Sequence, residues 1–154
     1  MQLYRERLHP SVWVFLSTAL VLPASIIVFA PLAPVTGVLI GTGVGLVLYA
    51  GVVLVLVTTA PVIEVTATEL RAGRARIPLD LLGESVAYAG EAATAQRGRR
   101  LDARAYLCIR GWVDQVVRIQ IADPHDPTPY WLVSSRRPGD LVEALTRRPA
   151  GSRD

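Results

Sequence analysis

Between Pro10 and Ile63 the chain has no Asp, Glu, Lys, Arg or His. It has no lysine anywhere, so all 16 basic residues are arginine, a bias that reflects base composition more than function. It has one cysteine, Cys108, and two histidines, His9 and His125. A single cysteine excludes a disulfide within the chain and a cysteine cluster for zinc. The net charge of +3 is too small and too dispersed for a nucleic-acid footprint.

The uncharged stretch is made of Val, Leu, Ile, Ala, Gly and a few Ser and Thr, broken once at Pro31-Leu32-Ala33-Pro34. About 20 apolar residues cross the hydrocarbon core of a bilayer as a helix. The pattern predicts residues 1–11 as a cytoplasmic N-terminus, 12–30 and 35–60 as two transmembrane helices, and 31–34 as an extracytoplasmic turn. Arg5 and Arg7 precede the first helix, and Arg71, Arg74 and Arg76 follow the second. The turn carries no charge, so the positive-inside rule puts both termini in the cytoplasm. A cleaved signal peptide is disfavoured, because Pro31 follows Val28-Phe29-Ala30 and is a poor residue after a cleavage site, and a second, longer apolar run begins at once. Tyr4 and Trp13 suit the headgroup level. Pro23 removes one helical hydrogen bond and predicts a bend in the first helix.

Gly37, Gly41 and Gly45 recur every fourth residue in the second helix. That spacing puts them on one face, where missing side chains let another backbone approach closely. The ridge fits packing against the first helix, through Ser17, Val21, Ala24 and Ser25, or else self-association or docking on a larger membrane protein. Gly41-Thr42-Gly43 is not a dinucleotide loop, since no strand precedes it and no acidic partner follows.

From Val62 onward the pattern turns to short strands. Runs at 62–66, 69–72, 75–79, 84–88, 105–110, 117–121 and 130–134 are separated by turn residues and predict an antiparallel meander. Residues 90–104 are Ala-rich and polar, a short helix or a loop. Residues 139–147, with Leu141, Val142 and Leu145 on one face, predict a closing helix. Together, 62–148 reads as one small cytoplasmic α+β domain that folds in water on its own, and 149–154 as a disordered tail.

Ile63-Glu64-Val65-Thr66, Glu69-Leu70-Arg71 and Arg76-Ile77-Pro78-Leu79 resemble the opening strands of bacterial pleckstrin-homology-like domains attached to membrane hairpins. The whole chain resembles an uncharacterised actinobacterial family of small two-span membrane proteins. That likeness is carried by Tyr4-Arg5-Glu6-Arg7, by residues 69–78, by residues 126–136 and by the closing helix. It implies a bent antiparallel sheet or partly open barrel closed by a helix, at the bacterial plasma membrane. It implies no activity.

No catalytic constellation stands out, and no enzyme, cofactor, metal or small-molecule substrate is expected. Asp123, His125 and Asp126 lie among prolines in a turn, where Asp serves local hydrogen bonds. Cys108 sits mid-strand without a base and reads as a structural thiol. Ser134 and Ser135 read as caps of the closing helix. Arg71, Arg74, Arg76, Arg136 and Arg137 are candidate contacts to lipid or phosphate. Trp112, Tyr130 and Trp131 are candidate contacts to a partner, with alternation turning one of the last two outward. The expected function is a membrane-anchored scaffold that presents its β domain to a protein partner, to a second copy, or to an anionic lipid surface. The alternative is an accessory subunit of a larger membrane complex, docked through the glycine ridge.

Overall fold

The computed structural model describes residues 2–147. The expected tail at 149–154 lies outside them. The chain forms two units: residues 9–60 make one, and residues 2–8 together with 61–147 make the other.

The first unit is the apolar hairpin. Helix α1 spans Val12–Thr18 and α2 spans Val21–Phe29, continued by a 3-10 turn at Ala30–Leu32; α3 spans Thr36–Thr58. By length and composition, Val12–Leu32 and Thr36–Thr58 can each cross a membrane. The interruption at Ala19–Leu20 follows from Pro23, which cannot donate to the carbonyl of Ala19 four residues earlier. The Leu22 N–H takes that carbonyl instead, at 3.0 Å.

The second unit contains two four-stranded sheets and two helices. Sheet A has the order β1 (Gln2–Arg7), β2 (Val62–Thr66), β3 (Glu69–Ala72), β4 (Ala75–Pro78), antiparallel throughout. The N-terminal residues, expected to be a mere lead-in to the first helix, are therefore an edge strand. Their sequence carries the period-2 signal, with Tyr4, Glu6 and Leu8 buried and Arg5 and Arg7 exposed. A 3-10 turn at Leu79–Leu81 leads into sheet B, ordered β5 (Leu82–Tyr88), β7 (Val116–Ile121), β8 (Tyr130–Ser134), β6 (Tyr106–Cys108). Here the expected meander fails, because β6 pairs with β8 and runs parallel to it. Alternation at 106–108 marks a strand but says nothing about its neighbour.

Ile63, Val65, Leu70 and Ile77 of sheet A share one core with Val117, Ile119, Trp131 and Val133 of sheet B. Leu141, Ala144 and Leu145 of helix α5 (Pro138–Thr146) join it. The ambiguous stretch after β5 forms helix α4 (Gly90–Arg97), whose Ala93 packs with Val116, Tyr130 and Leu132 in a second cluster. Strand β8 therefore has apolar residues on both faces, and all five of its residues are buried. That overturns the outward placement of one aromatic. Trp131 belongs to the main core, its ring tilted against that of Tyr106 with centroids 4.9 Å apart, while Tyr130 belongs to the second cluster.

Candidate functional site

Burial of Glu6 is the least expected feature of the second unit. A carboxylate in a core strand costs several kcal/mol unless its oxygens are satisfied. Here they are. Tyr4 Oη donates to Oε2 at 2.6 Å, Ser135 Oγ donates to Oε2 at 2.7 Å, and the Arg136 backbone N–H donates to Oε1 at 2.9 Å. Tyr4 Oη also lies 3.2 Å from Ser135 Oγ, closing the triangle. Ser135 Oγ further accepts from the Arg137 N–H at 3.1 Å. The network ties the first strand of the chain to the β8–α5 junction.

Several expectations change here. Tyr4 is a core residue held by hydrogen bonds, not a headgroup anchor. Ser134 and Ser135 do not cap α5, whose N-cap is Arg137 with no side-chain hydrogen bond. Ser134 Oγ instead accepts from the Arg110 N–H at 3.1 Å. Sequence reasoning missed Glu6; its signal was a lone acidic residue on the apolar half of an alternating strand.

The phenol of Tyr4 is pushed up to about 12, first by burial and then by its bond to the Glu6 carboxylate. The unfolded chain releases this proton near the ordinary value of 10.0. Stability from this group is therefore intact below about pH 10 and declines as pH rises from about 10 to about 12. The denaturation midpoint of the full chain should fall more steeply over that interval in wild type than in Tyr4→Phe. Parallel curves would remove this assignment.

Beside Tyr4 lies a cleft of about 240 Å³ lined by Leu3, Arg137, Asp140, Glu143, Ala144 and Arg147. Its arginines are matched by carboxylates of the same helix: Arg137 to Asp140 at 3.7 Å, and Arg147 to Glu143. Arg137 also lies over the Tyr4 ring at 5.3 Å. The structure therefore separates Arg136 and Arg137, at the β8–α5 junction, from the other candidate arginines. Arg71 and Arg76 are paired across β3 and β4, and Arg74 is in the turn joining them. Register puts Arg71 and Arg76 on the outer face, because Leu70 and Ile77, also opposite one another, fill the inner one. The turn is made by Gly73, whose φ of 63° is poorly tolerated by other residues.

The remaining candidates are local. Asp123 and Asp126 each accept a backbone N–H two residues on, from His125 and Thr128, both at 2.9 Å. The bonds from Thr128 hold the Asp126 carboxyl below the usual carboxylate range. Among the described residues no group of three His, Cys, Asp or Glu is placed to hold a metal. Burial pushes the Cys108 thiol up, with Arg110 opposing, which leaves it a poor nucleophile. Trp112 is half-buried, so of the three candidate partner contacts it alone is not a buried core residue.

In the hairpin, Gly37, Gly41 and Gly45 are the buried residues of α3. A Cβ at Gly37 would collide with the Phe29 backbone and one at Gly45 with Ser25 Oγ; at Gly41 it would lie 2.8 Å from Ile26 Cα. The ridge is thus filled by α2 of the same chain, and docking a larger complex through it requires α2 to leave. Gly43 and Gly51 have nothing within 4 Å of such an atom.

These observations define a mixed α+β protein with two candidate membrane helices and a two-sheet unit closed by a C-terminal helix. The chain belongs to the family described as protein of unknown function (DUF3093), which it matches over residues 3–145. That span includes Tyr4, Glu6 and Ser135. No curated protein and no solved structure matches the chain.

Proposed function

We propose that this protein is a membrane-anchored, non-catalytic binding protein, with a pleckstrin-homology-like β unit held on the cytoplasmic face of a bacterial plasma membrane. The observation that carries this reading is the unburied state of both apolar helices. Only 6% and 11% of their most apolar windows are buried within the chain, at mean hydropathies of 2.3 and 2.4. A core helix of a soluble protein would be covered by its own fold; lipid is the solvent that suits these surfaces. The short turn at 31–34 makes the helices antiparallel, so both tethers emerge on one side. Arg5, Arg7, Arg71, Arg74 and Arg76 flank the spans and favour the cytoplasmic side.

The pleckstrin-homology-like reading rests on two antiparallel-rich sheets sharing one core, with α5 packed against β1, β2, β5 and β7. The buried hydroxyl and carboxylate groups at Tyr4, Glu6 and Ser135 saturate each other, which suits a structural clamp better than acid–base chemistry. Binding, to an anionic surface or to a protein, is the role left to the exposed faces.

The test is extraction and topology of the full-length protein. It should stay with membranes washed in alkaline carbonate. A carboxyl-terminal fluorescent reporter should be active, and an alkaline phosphatase fused at the same place silent. Release by carbonate, or an active phosphatase, would overturn the reading.

A further inference from the structure

We infer that the outer face of sheet A is a binding site for the phosphate groups of anionic lipid headgroups, in the same membrane that holds the hairpin. This rests on the anchored reading above and gives that reading its ligand.

Four outward residues lie in one row across the sheet. Arg5 is opposite Glu64, Glu64 opposite Arg71, and Arg71 opposite Arg76. Adjacent strands are about 4.8 Å apart, so the row is roughly 14 Å long. It carries three guanidinium groups and one carboxylate. Like charges directly opposite on a sheet repel, and Arg71 and Arg76 are such a pair. Among the described residues, Arg5, Arg71 and Arg76 make no ion pair. The side chain of Arg71 is steadied by donating from Nε to the Gly73 carbonyl at 3.4 Å, which leaves its terminal nitrogens for a ligand. Two guanidinium forks side by side match a phosphate diester bidentately.

The position of the arginines along the strands supplies the source of the phosphate. Leu8 N–H bonds the Pro61 carbonyl at 3.1 Å, and Gly73 N–H bonds the Val62 carbonyl at 2.9 Å. The Gly73-Arg74 turn therefore sits at the end of sheet A from which both tethers leave. Glu69, the carboxylate of β3, lies two residues further from that end than Arg71. Charge along the sheet thus grades from basic at the tethers to acidic away from them. An anionic leaflet attracts that pattern, and each arginine near it gains a factor of about five in local binding.

The test uses the full chain in nanodiscs of equal parts phosphatidylglycerol and phosphatidylcholine, with lipids retained on ejection counted by native mass spectrometry. Wild type should retain phosphatidylglycerol preferentially. Arg71→Gln/Arg76→Gln should lower the retained ratio by at least about fivefold. Glu64→Gln, which deletes the carboxylate in the row, should raise the ratio, a gain that misfolding does not produce. Added inorganic phosphate should leave the ratio unchanged. No preference in wild type, an unchanged ratio in the arginine variant, displacement by inorganic phosphate, or expulsion of the lipid by a polyglutamate peptide would each overturn the inference. Carbonate washing of the same proteins separates the two readings. An anchored protein without lipid preference defeats this one alone, whereas a protein that washes off defeats the anchor.

Discussion

Glu6→Ala lowers the unfolding free energy of the β unit by about 3 to 5 kcal/mol. The change leaves the Tyr4 hydroxyl, the Ser135 hydroxyl and the Arg136 N–H facing a hole. Each of these bonds now ends on a charged oxygen, and bonds to charged groups contribute about 1.5 to 3 kcal/mol each. Glu6→Gln is milder, near 1 to 2 kcal/mol, because the amide keeps one acceptor and the hydroxyls can turn. Thermal unfolding of the full chain in detergent, followed by near-ultraviolet circular dichroism, reads the difference. A loss under about 1 kcal/mol for the alanine variant would show that the network is not a clamp. The double variant Tyr4→Phe/Glu6→Ala should lose less than the sum of its parts, since both changes break the same bond.

Gly41→Leu destabilises the hairpin by about 2 to 3 kcal/mol, while Gly43→Leu is tolerated. The two positions are two residues apart in one helix and have the same intrinsic propensity change. They differ in what surrounds them: backbone of α2 at Gly41, open space at Gly43. Backbone atoms do not move aside as a side-chain tip does, so the helices must part. Heating both variants in dodecyl maltoside and following far-ultraviolet circular dichroism separates them. Equal midpoints would mean that the ridge does not hold the hairpin together.

The strongly periodic parts of this fold were legible in the sequence. An uncharged run with one proline-flanked break gives two helices, and a glycine every fourth residue gives the face on which they meet. The strands from 62 to 88 follow from alternation, with Gly73 at the turn that requires it. What stayed hidden depends on neighbours that lie far apart in the chain. Six residues before an apolar helix look like a flank until β2 is there to pair with them. The placement of β6 beside β8 cannot be read from three residues. Tyr130 and Trp131 follow the alternation rule, but α4 covers the face that the rule assigns to solvent. Glu6 and Ser135 meet only because β1 closes the sheet beside the β8–α5 junction, and nothing local to either residue announces the other. The basic residues were visible as a cluster, yet their common face needed the register of β3 against β4, and Arg5 joins them only through β1.

Sheet A is interrupted in sequence by the whole of residues 9–60, and this constrains how the protein is made. Its first strand leaves the ribosome well before the partner it needs. Until translation passes Thr66, the segment Gln2–Arg7 has no template, and Glu6 has no donors from Ser135 and Arg136 until those residues are made. Folding of the hairpin returns that early strand to the place where β2 emerges, so pairing of α2 with α3 and closure of the sheet become successive steps of one maturation. A fragment beginning at Val62 would lack the strand and present the bare edge of β2, the kind of edge that recruits other chains.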